Sequence, residues 1–293
     1  MSTPLQKRTP NIDFEDISPC WIPNDYFASV VLNVIHIIIP SGELWFCKMI
    51  NLAKPHITDR NLLLDAKGLI AQEGAHAKCH RDVLTVFEQQ GCDISFSKNR
   101  LDVAFDQHLG EKIYGRWTVP ENRERWWLMV RLGIMANMEH VTCVLGNWIL
   151  QNQALERDNA DIRMLNLLKW HGAEEVEHRN VAHDVYRHLG GGNLLRIAMF
   201  IPVLFYIVLA WRRGTKALST EQKGQSSKKG IRGYIESSRR GHLPSISYLI
   251  FNFLKYIKWN FHPENEGDIV RAATEIERLD SLFDENDTAV DKP

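Results

Sequence analysis

Apolar residues recur at spacings of three and four along almost the whole chain, the period of an amphipathic helix. No run alternates apolar and polar residues between turn signals, so strands are not expected. The pattern predicts a helix from about Tyr26 to Leu52, with a kink or a restart at Pro40-Ser41-Gly42. Thr58 is placed to cap a second helix, with Asp59 in its first turn, that runs to Gly91. Residues 92–119 are mixed and read as short pieces with loops. A third helix begins after Pro120, with Glu121 and Glu124 near its N-terminus, and reaches Asn152. Asp158 or Asn159 opens a fourth, which stops at Gly190-Gly191-Gly192. Residues 1–25, with Pro4, Pro10, Pro19 and Pro23, form an irregular arm.

The pattern changes after those glycines. Residues 197–211 carry no charge and are flanked by Arg196 and by Arg212-Arg213. A membrane span needs about 20 apolar residues, so this stretch reads as a buried helix or as one wall of an apolar tunnel. Nine basic residues follow between Arg212 and Arg240, in a Ser/Gly-rich stretch read as a solvated loop. An amphipathic helix spans about 243–261, with Tyr248, Phe251, Tyr256 and Trp259, and a polar acidic tail ends the chain. Beside the basic stretch, that aromatic helix can dock on an anionic membrane surface.

Composition narrows the function classes. Thirty-five basic against 36 acidic residues leave a net charge of −1, which removes a general electrostatic case for nucleic acid. Five scattered cysteines argue for a reducing compartment and against a disulfide framework. The first twenty residues hold no apolar stretch of a secretory signal. A cytoplasmic location is expected, with peripheral membrane contact and a homodimer both compatible.

The candidate chemistry lies in two Glu-x-x-His segments, Glu73…His76 and Glu175…His178. On a helix each pair aims an oxygen and a nitrogen at one point. Glu43 falls in the first long helix and Glu139 in the third. One Glu from each of two helices, with Glu-x-x-His from each of two others, is the ligand pattern of four-helix carboxylate proteins that bind two metals. The separations Glu43–Glu73 and Glu139–Glu175 suit antiparallel helix pairs. The longer gap between Glu73 and Glu139 leaves room for the one long crossover of such bundles.

On these residues the sequence resembles the ferritin-like di-iron carboxylate superfamily. More closely, it resembles a bacterial family labelled "predicted metal-dependent hydrolase". That likeness rests on Pro40-Ser41-Gly42-Glu43 with Phe46, on Gln72-Glu73-Gly74-Ala75-His76 with His80, and on Trp170 through His178. Phe261-His262-Pro263 also fits. The His-x-x-x-Glu-x-x-His spacing of His171, Glu175 and His178 is similar to p-aminobenzoate N-oxygenase, which implies oxygen activation and an additional histidine ligand. The word hydrolase does not follow from the ligand set.

At 100° per residue, His171, Glu175 and His178 lie within about 60° of one another, and Glu174 about 100° from Glu175. The metal ligands expected are therefore Glu43, Glu73, His76, Glu139, His171, Glu175 and His178. Glu174 is expected to accept a hydrogen bond behind them, for the far nitrogen of His76. His80 continues the Glu73/His76 stripe and is expected in a supporting or core position. His140 points away from Glu139 and is expected to serve structure or to touch substrate. His183 and His188 read as surface or packing residues.

The fold expected is all-α: a ferritin-like four-helix bundle over 26–190 with a long crossover, and 191–293 as C-terminal helices packing on it, with the basic loop and acidic tail. The function expected is a non-haem di-iron oxidoreductase that uses O2 to hydroxylate, desaturate or N-oxygenate a small apolar organic substrate. It would hold two iron ions, with manganese or zinc also compatible. Electrons would come from an external donor, since no flavin or nicotinamide fingerprint is present. The competing expectation is a Zn, Mn or Fe pair hydrolysing an ester or phosphoester.

Overall fold

The computed structural model describes residues 5–92, 94–221 and 230–290. The chain is all-α, with helices α1 (Tyr26–Ala53), α2 (Arg60–Gln89), α3 (Ser95–Asp102), α4 (Glu124–Gln151), α5 (Ala154–Arg157), α6 (Ile162–His178), α7 (Val181–His188), α8 (Asn193–Glu221), α9 (Ile231–Arg240), α10 (Ile246–Tyr256) and α11 (Ile269–Val290). Helix α1 packs along α2, and α4 along α6. Contacts α1–α4 and α2–α6 close the four into one bundle. Helix α8 lies across α1 and α4, and α11 covers α6.

Side-chain caps fix where the helices begin. Asp25 accepts from Ala28 N at 3.0 Å, Asp59 from Leu62 N at 2.8 Å and Asp161 from Arg163 N at 2.9 Å. The second cap is therefore Asp59, one residue past Thr58. The fourth long helix opens at Asp161 rather than at Asp158 or Asn159. Asn159 has a positive φ of 56°, so the chain turns there before the helix can start.

Three more expectations change. Helix α1 runs unbroken through Pro40; packing against α2 outweighs the roughly 3 kcal/mol that an interior proline costs. The fourth helix ends at His178 and resumes as α7. At that break the Arg179 guanidinium donates to Val176 O at 2.6 Å and Pro263 O at 3.1 Å, which satisfies a carbonyl freed at the helix end. Part of the expected basic loop is helical, as α9, and so is most of the expected tail, as α11. Lys223, Lys228 and Lys229 lie outside the described residues.

The crossover from α2 to α4 holds α3, a wide helical turn at Val103–His108 and a two-stranded antiparallel ribbon pairing Lys112 with Thr118 and Ile113 with Trp117. Residues 5–25 carry no long element and lie against the bundle. Buried Trp21 donates its indole N–H to Asn33 Oδ1 at 2.8 Å.

Helix α8 corrects the reading of residues 197–211. It starts at Asn193 and extends past Arg212-Arg213, so Asn193–Leu218 is long and apolar enough to cross a membrane by length and composition. Tyr26–His56 and Glu121–Gln151 are also long and apolar enough, but their apolar stretches are 67% buried against 17% for α8. The helix is not buried. Ile201, Phe205 and Val208 are exposed, while Leu204 and Ile207 line a cavity on the inner side.

The helices that hold the centre approach closely at one crossing. A Cβ on Gly146 of α4 would fall 2.6 Å from Gly172 O of α6, and one on Gly172 would fall 2.9 Å from Gly146 Cα. Only glycine at both positions allows this approach. Apolar side chains enclose the centre on both sides, among them Phe87 and Trp170 on one and Met49, Leu69 and Leu132 on the other.

Candidate metal centre

Four helices deliver seven buried side chains to one place in the bundle core. Glu43 comes from α1, Glu73 and His76 from α2, Glu139 from α4, and His171, Glu175 and His178 from α6. They form two groups, Glu43/His76/His171/Glu175 and Glu73/Glu139/Glu175/His178, in each of which one donor atom per residue lies within 4.8 Å of the others. Glu175 belongs to both. The structure thus brings together every residue that the sequence nominated as a ligand.

The first group is tight. His171 Nε2 stands 3.0 Å from Glu175 Oε1 and 3.5 Å from Glu43 Oε1, and His76 Nδ1 stands 3.6 Å from Glu43 Oε1. The His76 and His171 rings stack with centroids 4.3 Å apart. In the second group His178 Nδ1 is 3.4 Å from Glu73 Oε1, and Nε2 is 3.6 Å from Glu175 Oε2.

Residues behind this cluster orient it. Glu174 Oε2 accepts from His76 Nε2 at 2.8 Å, which leaves Nδ1 turned to the carboxylates. Arg8, from the N-terminal arm, donates to Glu174 at 2.9 Å and to Glu177 at 2.8 Å, and Gln72 donates to Glu177 at 2.8 Å. Thr142 donates to Glu175 Oε2. His80 Nε2 meets His171 Nδ1 at 2.6 Å, and His80 Nδ1 meets His36 Nδ1 at 2.7 Å. If His171 Nε2 bound a cation, its proton would sit on Nδ1 and be donated to His80. His80 would then carry its own proton on Nδ1 and donate it to His36. Such partners fix the tautomer of a ligating imidazole.

The electrostatics are those of a site built for cations. Both oxygens of Glu43, Glu73 and Glu139 are buried without hydrogen-bond partners, as are His76 Nδ1 and both nitrogens of His178. Buried polar atoms are almost always partnered, and buried unpaired charge is costly. Burial, then the neighbouring Glu73, pushes the Glu43 and Glu139 carboxyls well above their ordinary range. Burial opposes charge on His178, but Glu175 and Glu139 outweigh it and push the imidazole up to about 10. Burial likewise opposes charge on His76, yet Glu174 and Glu43 raise it well above the usual value. Glu175 is held well below the carboxylate range by His178 and His171 against the effect of burial. Without cations, then, protons hold the like charges together. The donor set fits two divalent cations: four carboxylates balance their charge, and three imidazoles add neutral donors.

An apolar cavity of about 210 Å³ reaches the cluster from the side of α8 and α10. Ile35, Phe46, Leu145, Leu204 and Phe253 line it, and Glu43, Thr142, His171 and Glu175 stand on its wall. His140 does not touch the cluster; it stacks on Tyr256 at 4.4 Å, where burial lowers its ring to about 3. His183 is buried beside Phe261 and His262, and His188 accepts from Thr58 N at 3.1 Å.

Sequence reasoning missed Arg8, Thr142 and His36. His36 precedes Glu43 by two helical turns on the same face, and that spacing could have found it. Arg8 sits in an irregular arm, where no periodicity marks a contact with the core.

A family model described as "Predicted metal-dependent hydrolase" matches residues 6–267, a span that includes all seven clustered residues. No curated protein and no solved structure matches the chain.

Proposed function

The chain belongs to this family of predicted metal-dependent hydrolases, and we propose that it binds two irons and uses O2 to oxidise an apolar organic substrate. One observation carries the reading: a carboxylate-rich cluster opens onto a cavity whose wall is otherwise almost entirely apolar. Glu43, His76 and His171 would hold one ion, Glu73, Glu139 and His178 the other, and Glu175, which belongs to both groups, could serve either. Two reduced irons so held would supply the electrons that activate O2 for hydroxylation, desaturation or N-oxygenation. Manganese or zinc can occupy the same donors.

The chain's own residues bind, orient and exclude water. Glu174 keeps His76 Nδ1 turned to the cluster, and the His80–His36 pair does the same for His171 Nε2. Thr142 holds one oxygen of the shared Glu175. Leu145, Leu204 and Phe253 keep the substrate side dry, which strengthens every interaction inside. The electrons needed for repeated turnover come from a separate reductase.

A second reading, hydrolysis of an ester or phosphoester, is favoured by the family's description. A Zn or Mn pair would lower the pKa of bound water and polarise a carbonyl or phosphoryl group. Against it stands the cavity wall, which offers few polar side chains beyond the proposed ligands to hold such a group. The test is anaerobic reduction of the iron-loaded chain followed by O2 while near-ultraviolet absorption is recorded. An oxygen-dependent change supports oxidation. Silence toward O2, with ester or phosphoester turnover by the zinc form, overturns it.

A further inference from the structure

The outer faces of α8 and α10 carry rows of exposed apolar side chains. On α8, Ile201, Phe205 and Val208 form an exposed apolar stripe at helical spacing; on α10, Ile250 and Leu254 form another, continued by Ile257 just past its end. Both helices flank the cavity, and Val208 is at once exposed and part of its wall. Arg196 ties the two together, donating from α8 to Lys258 O at 2.7 Å and to Tyr256 O at the end of α10. Helix α8 is also anchored along its length, for Trp211 donates to Val31 O at 2.7 Å. It therefore lies along the bundle with one face outward.

Exposed cations border this face. From Arg187 to His262 the sequence holds thirteen Lys and Arg but only two acidic residues, Glu221 and Glu236, in a chain whose net charge is −1. Arg212, Arg213 and Lys216 are exposed at one end of the α8 stripe, and Lys258 beyond α10. An apolar stripe bordered by cations fits the interface of an anionic leaflet.

We propose that α8 and α10 dock the protein on an anionic lipid bilayer, and that the cavity between them admits the acyl chain of a lipid to Glu43, His171 and Glu175. The docking stands on the surface alone; the use made of the acyl chain rests on the dinuclear reading above.

The test is flotation of the full chain with phosphatidylcholine vesicles, with and without a one-fifth share of phosphatidylglycerol. The chain should float with the anionic vesicles and release at high salt. Phe205→Glu combined with Leu254→Glu should lower the bound fraction at least tenfold while circular dichroism and metal content stay unchanged. Both residues are exposed and neither lines the cavity. A fatty acid brominated along its chain should quench tryptophan fluorescence of the metal-free wild type through Trp148 and Trp211, which line the cavity. Failure of the wild type to float, equal binding to neutral vesicles, or an undiminished double variant overturns the docking. Light scattering that shows a dimer split by the double variant, with vesicles unbound, assigns the face to a second copy and also overturns it. Absence of quenching overturns the acyl route. Because flotation and quenching need no metal, their failure leaves the dinuclear reading standing, and a failed metal count leaves the docking standing.

Discussion

Two glycines near the centre should respond to the same substitution in opposite directions. Gly172 follows His171 on α6, and a Cβ there would lie 2.7 Å from Ile149 Cγ2, 2.9 Å from Gly146 Cα and 3.1 Å from Gly146 O. Carbon atoms prefer about 3.5–4.0 Å, so the two helices must separate by roughly 0.6–1 Å at this crossing. Ile149 can rotate away, but the Gly146 backbone cannot. Overpacking of this kind costs about 1–3 kcal/mol, offset by up to about 1 kcal/mol that alanine gains over glycine in a helix. Gly172→Ala should therefore destabilise by about 1–2 kcal/mol. Gly74, beside Glu73 on α2, has nothing within 4 Å of its virtual Cβ, so Gly74→Ala should stabilise by about 0.5–1 kcal/mol. Thermal melts of the metal-free variants should then bracket the wild type, about 1–2 °C above it for Gly74→Ala and about 2–3 °C below it for Gly172→Ala. A site held by donors on α1, α2, α4 and α6 tolerates displacements of only about 0.5 Å, so Gly172→Ala should also weaken metal retention while Gly74→Ala keeps it. Equal shifts of the two variants, or a Gly172→Ala protein as stable as wild type, would refute the close crossing as the element that sets the geometry.

His171→Ala should keep the fold and most of the metal but change the spectrum of the oxidised centre and impair turnover. A crystal structure of the loaded protein should place His171 Nε2 about 2.0–2.3 Å from one ion; a distance beyond 4 Å to both would sink the assignment. The pH dependence follows from groups whose folded values are raised. His178, at about 10 in the folded chain, contributes stability that is fully present below its ordinary value near 6.5 and is lost as pH rises toward 10. Glu43 and Glu139 act with the same sign. Glu175, held low, loses its contribution only in acid. The metal-free melting temperature should thus fall as pH rises from about 6.5 to 10, and the loaded protein should resist that fall. Metal loading at pH 7 should release protons, read as a calorimetric enthalpy that depends on the buffer; no buffer dependence would contradict the protonated metal-free centre.

The bundle was legible because its four long helices obey one period. Glu43, Glu73/His76, Glu139 and His171/Glu175/His178 each occupy the inward stripe of such a helix, so spacing alone placed them on common faces. Boundaries were less legible. Pro40 does not break α1 because packing with α2 overrides a local penalty, and the N-cap moved to Asp161 because Asn159 takes a left-handed turn. The exposure of α8 was hidden for a different reason: fifteen uncharged residues look alike whether buried or facing lipid, and the basic residues after them continue the helix. Arg8 was invisible because its partner Glu174 is distant in sequence and its segment has no periodicity.

The most direct measurement is an anaerobic titration of the metal-free chain with Fe(II), followed by metal analysis after gel filtration. Two saturable ions per chain are expected from the two donor groups that share Glu175. Glu175→Ala should lose tight binding of both, because each group contains that carboxylate. A wild-type breakpoint at one ion or none, or two ions retained by Glu175→Ala, would contradict the dinuclear centre.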